Sequence, residues 1–341
     1  MTENGYDADR AALDSLLRGF QISRMLRLVA DIGLADKIPK DGSCSVSDLA
    51  AGCAVLAAPL LRVLRALAAF GIFRLGADGS VAHSPRSVLL RTDEPNSFHD
   101  AARFWTAPGS WKAWGALDAA LVGDIPHQVA WNTGRFEYLR EHPEEARNFD
   151  AFMANFSDNR HQVVAASYDF SAAALIADIG GGNGEMLRRV LARFPGPRGL
   201  VFDRDDVIAG IPQEARSGGR IDVRSGSFFE LVPDGADIYL LVRVLHDWSD
   251  DDCIRILRNC RAAMTGSARL LIVEQILEPD PTLGRPAGYL VDIQMMAMFG
   301  TARERTESEF GDLLRISGFA LARVIATASP VSILEVIPVP D

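Results

Sequence analysis

Apolar positions recur at helical spacing in the first part of the chain and in short unbroken runs in the second. In LLRGFQISRMLRLVADIGL, Ile22, Met25, Leu26 and Val29 fall on one stripe of a helix. SVSDLAAGCAV follows, where Ser45 or Ser47 caps a short helix. APLLRVLRALAAFGI carries Pro59 near its start and Gly71 at its end, the asymmetry expected of a helix. FRLGADGSVAHS reads as two short strands around a Gly-Ala-Asp-Gly turn. Helix, turn, helix and hairpin together make a winged-helix pattern. Residues 100–170 read as helices interrupted by Trp105, Trp111, Trp114, Trp131, Phe149, Phe152 and Phe156. As a group these aromatics read as core, the commoner fate at helical spacing. Aromatics between domains can also wall a pocket for a flat ligand.

From about residue 174 the period changes. ALIADIG, GLVFD, DIYLLVRVL and ARLLIVEQIL are short runs rich in Val, Ile and Leu, alternating with the helical segments GEMLRRVLARF and DDCIRILRNCRAAM. Apolar strands alternating with helices predict a parallel sheet covered on both faces. FALARVIATA, a Ser-Pro turn and VSILEVIPV predict an antiparallel hairpin that closes the sheet. No internal repeat is present. A length of 341 residues, with 48% hydrophobic and 23% charged residues, fits two globular domains or one domain with a large extension.

The charge narrows the function. A formal net charge of −10 argues against a nucleic-acid partner. The would-be recognition helix offers Arg62 and Arg65 among Leu, Val, Ala and Phe, whereas phosphate binding needs a richer basic face. The N-terminus MTENGYDADR is polar and acidic, unlike a secretory signal. No uncharged apolar run reaches the roughly 18 residues of a membrane span. Cys44, Cys53, Cys253 and Cys260 form no CxxC pair and no disulfide framework, so they read as reduced, buried thiols of a cytoplasmic protein.

The stretch LIADIGGGNGE carries the chemistry. Gly180, Gly181, Gly182 and Gly184 follow a strand and precede a helix, at the edge where open α/β sheets bind ligands. Glu185 breaks the dinucleotide fingerprint, and no Lys-Ser/Thr pair follows to make a P-loop. Asp178 and Glu185 would oppose a diphosphate; a cation suits them better. D-x-G-x-G-x-G after a first strand is the pattern used for S-adenosylmethionine (AdoMet), with its positive sulfonium and its ammonium. Asp203, ending GLVFD, stands where an acidic residue accepts ribose hydroxyls.

DIGGGNG, VFD, GSFFE, ADIYLLVRVLHDWSDDDC, LLIVEQIL and ARERTESEF resemble the caffeate-type, or plant-type, O-methyltransferases. That family includes bacterial tailoring enzymes of secondary metabolism and the hydroxyindole methyltransferases. The resemblance covers nearly the whole chain. It implies an α/β fold: a C-terminal Rossmann-like, seven-stranded methyltransferase domain and an N-terminal, all-helical, winged-helix-like dimerisation domain. The expected division is a dimerisation domain at 1–100, a helical linker contributing to the substrate pocket at 101–165, and the AdoMet-binding catalytic domain at 166–341. By resemblance the protein is a cytoplasmic homodimer that methylates a hydroxyl of a small aromatic acceptor. The acceptor would be a phenol or a polyketide-like natural product, with S-adenosylhomocysteine (AdoHcy) as product and no metal, nucleic acid or membrane involved.

The resemblance also implies roles. His246 in LHDWSDD is the general base. A phenol ionises near pH 10, so a base must take its proton at neutral pH. Glu274 and Glu304 flank the histidine, and either could accept a ring N–H and fix the tautomer. For the cofactor the implied residues are Ser157, Asp178, Gly180, Gly182, Asp203, Ser227, Phe228 against the adenine, and Arg243. For the acceptor they are Phe149, Met153, Phe156, Asp247, Asp292, Met295 and Phe299, the methionines adapting to a flat ring. Ser227 replaces the family's usual Asp, keeping a hydrogen bond and losing a charge, and Arg204-Asp205 replaces its usual Leu-Pro. Two alternatives remain: family members that use the bound cofactor in hydroxylation or decarboxylation, and a winged-helix regulator that senses a ligand.

Overall fold

The computed structural model describes the backbone of residues 3–339 and the side chains of 7–155, 160–216 and 218–339. The chain forms two compact units, residues 1–112 with 136–156, and residues 113–135 with 157–341.

In the first unit, Gly19–Asp31, Val46–Gly52 and Ala57–Ala69 are helices. Of the two candidate caps it is Ser45 that accepts the Asp48 N–H, at 3.0 Å. Strands β1 (Cys44–Ser45), β2 (Phe73–Leu75) and β3 (Ser80–His83) form an antiparallel sheet in the order β1-β3-β2. The expected hairpin is therefore joined by a two-residue strand too short to leave a pattern. Leu60, Leu64 and Leu67 of the would-be recognition helix are buried with Val29, Leu34, Ile38 and Phe73. Of the aromatics, Phe152 is buried and stacks on Phe104 with centroids 4.2 Å apart, as the core reading expects. Trp105 and Trp111 do not follow it: they are 43% and 37% exposed.

The second unit is built on strands β4 (Leu175–Ile179), β5 (Arg198–Asp203), β6 (Ile221–Ser225), β7 (Ile238–Val242) and β8 (Arg269–Glu274). A short parallel pair, β9 (Ile276–Leu277) and β10 (Arg305–Thr306), and the strands β11 (Phe319–Ala326) and β12 (Ser332–Pro338) complete it. The sheet order is β11-β12-β8-β7-β4-β5-β6. β8 through β6 are parallel, while β12 runs antiparallel to both β8 and β11, the expected closing hairpin. Alternate side chains enter separate cores on the two faces, Ala177 and Ile179 on one and Ile176 on the other. Strand order reverses at β4, which lies between β5 and β7. The loops after β4 and β7 therefore flank the topological switch point, where such sheets open a crevice.

Two elements depart from the sequence reading. β6, IDVRS, has no counterpart in the apolar pattern, because as an edge strand it exposes Asp222, Arg224 and Ser225 and shows no apolar run. β7 stops at Val242 although apolar residues continue to Leu245, because Arg243 turns into the left-handed region at φ +55°. Among the described residues no single helix is long and apolar enough to cross a membrane. All four cysteines are free, and burial pushes the Cys253 and Cys260 thiols up to about 12.

Candidate active site

The glycine loop leaves β4 at Ile179. Gly180 adopts φ +72° and donates its N–H to Phe202 O at 2.8 Å. A Cβ at Gly180 would come within 3.0 Å of Val244 and 3.5 Å of Phe228. At Gly181 it would strike the Asp178 carboxyl at 2.8 Å. Bare backbone is what lets this loop close over Asp178 and pass between neighbouring strand ends. Asp203 accepts the N–H groups of Gly182 at 2.8 Å and Arg204 at 2.7 Å. A carboxylate offers about four lone-pair sites, so capacity for ribose hydroxyls remains. Arg204-Asp205 thus starts the next helix with the Asp203 carboxylate fixed by backbone. Ser227 Oγ accepts the Phe229 N–H at 3.3 Å, and Phe228 O accepts from Asn259 at 2.8 Å. Phe228, Phe229 and Trp248 meet edge to face.

Asp178 is 1% exposed, and neither of its carboxylate oxygens accepts a hydrogen bond among the described residues. Burial, with Asp203 nearby, pushes its pKa up to about 7. A buried carboxylate without donors is costly. The glycine loop that covers it therefore fits a cationic donor, such as the ammonium at the methionine end of AdoMet.

The loop after β7 carries His246, which is buried on a short turn, Leu245–Asp247. Its Nδ1 lies 3.3 Å from Glu274 Oε2, at ion-pair distance but off the direction of a hydrogen bond. Its Nε2 lies 3.1 Å from Asp247 Oδ1. Glu274, fully buried at the end of β8, accepts the Leu245 N–H on Oε1 at 2.9 Å. Burial raises Glu274 most, but His246 and Arg243 outweigh it and hold the carboxyl well below its usual range.

Glu304 is not on the ring in this arrangement. Its Oε1 accepts from Arg243 Nη2 at 2.6 Å and its Oε2 from Nη1 at 3.0 Å, while Nη1 also donates to Glu274 at 2.9 Å. Burial disfavours the Arg243 charge, but Glu274 and Glu304 more than compensate and raise its pKa. The positive φ of Arg243 costs on the order of 1 kcal/mol, and it persists because the two carboxylates over-determine its position. Asp292 Oδ1 accepts the Glu304 N–H at 2.9 Å and is itself raised by burial.

Arg305 and Arg160 are missed by sequence reasoning. In RERT a single arginine among like residues reads as solvated surface, yet Arg305 is 0% exposed. It donates to Asp250 (2.7 and 2.9 Å), Leu245 O (3.0 Å) and Trp248 O (2.9 Å), and the Arg303 N–H reaches His246 O at 3.0 Å. The RERT segment thus holds the backbone of the histidine turn from one side. Arg160 is nearly buried, and burial, then Arg243, lowers its pKa to about 10.

The remaining expected residues sort by unit. Met295 and Phe299 are half-buried on the Pro286–Phe299 helix, where Trp114 Nε1 donates to Gln294 at 2.5 Å. Phe149 is half-buried and Met153 36% exposed in the first unit. The side chains of Phe156 and Ser157 lie outside the described residues. No cluster of three or more His, Cys, Asp or Glu fit for a metal occurs among the described residues.

Residues 113–320 match the O-methyltransferase domain, and residues 15–93 the O-methyltransferase dimerisation domain. The mitomycin biosynthesis 6-O-methyltransferase of Streptomyces lavendulae is 35% identical, over 98% of this chain and 97% of its own length. The phenazine O-methyltransferase PhzM of Lysobacter antibioticus is 36% identical, over 99% of this chain and 100% of its own. The AdoHcy-bound crystal structure of CalO1, a methyltransferase in calicheamicin biosynthesis, superimposes with a TM-score of 0.87 at 30% identity, covering 99% of both chains. A domain match over more than half of the chain, with relatives 35–36% identical along nearly all of it, places the chain in the O-methyltransferase family, with an N-terminal O-methyltransferase dimerisation domain.

Proposed function

We propose that the protein transfers the methyl group of AdoMet to a hydroxyl of a small aromatic natural product, with His246 as general base. The observation that carries this is the His246 ring set between Glu274 and Asp247 on the turn after β7, beside the glycine loop after β4. When bound, AdoMet supplies an electrophilic methyl on a positive sulfur. Asp178 fits the cationic end of that molecule and Asp203 its ribose. With its proton on Nδ1 beside Glu274, and with the acceptor hydroxyl in place of the half-exposed Asp247 carboxylate at Nε2, the ring has its Nε2 lone pair to take the acceptor's proton. The acceptor oxygen loses that proton as it forms the new C–O bond, and the C–S pair leaves with AdoHcy. Asp247, at Nε2 and still 45% exposed at its side chain, stands on the acceptor side of the ring. Relatives named for mitomycin and phenazine biosynthesis support a fused aromatic acceptor.

Mass spectrometry tests the reaction. Incubation with AdoMet and a phenolic acceptor should add one CH2, about 14 mass units, with AdoHcy formed in equal amount. A gain of oxygen or a loss of CO2 would instead support the cofactor-assisted alternatives.

The same reading makes the enzyme a cytoplasmic homodimer through its N-terminal domain. Leu13, Leu16 and Leu17 on the helix Glu3–Leu17, with Phe20 at the start of the next, are 56–77% exposed, apolar surface that a second copy would cover. Removing residues 1–90 should give an insoluble or a monomeric, inactive protein by light scattering. A truncated chain that stays soluble and turns over normally would contradict this.

A further inference from the structure

The two glutamates that flank the histidine in sequence are not equivalent in space. Glu274 touches both the Leu245 N–H and the ring side of His246. Glu304 is gripped by both terminal nitrogens of Arg243, and its backbone is fixed by Asp292. Both glutamates are at most 3% exposed, so water screens neither charge. The sequence places Arg243 one residue beyond the end of β7, in a backbone conformation that arginine adopts rarely, and its guanidinium still reaches both carboxylates.

Resting on His246 as the base, we propose that Arg243 is a positioning residue that divides the glutamates. It takes Glu304 as its own two-point counter-ion and, through Nη1, pins the Glu274 oxygen that lies 3.3 Å from His246 Nδ1, so that Glu274 alone orients the ring. The charges then balance. Glu274 and Glu304 bring two negative charges behind the ring and Arg243 returns one. One net negative charge remains, matching the single positive charge the ring gains as it takes the acceptor's proton. Around this core stand Asp247 at Nε2, Asp292 behind Glu304, Arg160 within electrostatic range of Arg243 and Glu274, and Arg305 with Asp250 under the turn. Without Arg243, two dry carboxylates would face the ring and favour imidazolium before the acceptor arrives. A ring already protonated cannot act as a base. The planar fork matters as well as the charge: a lysine ammonium carries the charge but cannot bridge both carboxylates in the same geometry.

The test is the pH profile of kcat/KM for wild type, Arg243→Met, Arg243→Lys, Glu304→Gln and the double variant Arg243→Met/Glu304→Gln. Wild type must show methyl transfer with an acid limb. If it does not, the base reading fails and this inference is not the cause. Arg243→Met should move the acid limb to higher pH by about one unit, a loss of about tenfold near the foot of the limb that recovers as pH rises. Glu304→Gln should move it the other way, since it removes a negative charge. Arg243→Lys should keep the limb near its wild-type position with a lower plateau. The double variant, neutral at both positions, should restore the limb toward wild type. Should Arg243→Met fail to fold, Glu304→Gln and the double variant decide. An unmoved limb in Glu304→Gln, or a double variant that restores nothing, overturns the proposal. So does an Arg243→Met whose defect is a raised KM for AdoMet at every pH, which would place the guanidinium at the cofactor instead.

Discussion

Replacing His246 with alanine should lower kcat by roughly a hundredfold or more, the scale of losing a positioned general base. AdoMet should bind nearly as well as to wild type. The two halves of this result separate because they rest on different loops. The glycine loop, Asp178 and Asp203 leave β4 and β5, while the histidine turn leaves β7. Truncation at His246 removes the ring but not the frame. Glu274 still accepts the Leu245 N–H, Arg305 still holds Leu245 O and Trp248 O, and the Arg303 N–H still has a carbonyl to reach. Single-turnover assays give the rate, and calorimetry with AdoHcy gives the affinity. The lost rate should return in part at high pH, where more of a phenolic acceptor is already ionised. A variant as active as wild type would leave orientation of the two substrates as the whole of the catalysis. A variant that also lost AdoHcy binding would show that the turn supports the cofactor site, contrary to the two-loop picture.

The sequence shows most clearly what local pattern controls. Unbroken Val, Ile and Leu runs mark buried parallel strands, and β4, β5, β7 and β8 fall where those runs are. The glycines mark the loop because they take the positive φ at Gly180 without strain and leave room for the Asp178 carboxyl at Gly181. β6 is hidden because an edge strand needs only one apolar face, and here it carries Ile221 and Val223 between charges. Long-range pairing is hidden more deeply. Nothing in RERT distinguishes Arg303, which is partly exposed, from Arg305, which is fully buried under the histidine turn. The fork of Arg243 on Glu274 and Glu304 joins residues 31 and 61 positions apart, and only the sheet order brings them together. Spacing alone left both glutamates as candidates for the ring; three-dimensional charge pairing separates them.

Asp178 should make cofactor binding and apoprotein stability depend on pH in opposite senses. In the unfolded chain an aspartate ionises near 3.9, whereas here burial raises it to about 7. A raised carboxyl contributes stability that is fully present below the unfolded value and is lost as pH rises through the folded one. Between about pH 4 and pH 8 the apoprotein should therefore lose on the order of 4 kcal/mol from this group. A cationic donor reverses the sign, because it pairs with the ionised form. AdoMet should then raise Tm more at pH 8 than at pH 6. At pH 6 its binding should release close to one proton, falling toward none above pH 8, as read by calorimetry in buffers of different ionisation enthalpy. Asp178→Asn keeps the shape and removes the titration. Its apoprotein should lose less stability from pH 6 to pH 8 than wild type, and its affinity for AdoMet should fall by about tenfold or more, the scale of a lost charge-assisted hydrogen bond. Binding of undiminished strength in Asp178→Asn, with no proton released by wild type at pH 6, would mean that the cation sits elsewhere and that the glycine loop covers Asp178 for packing alone.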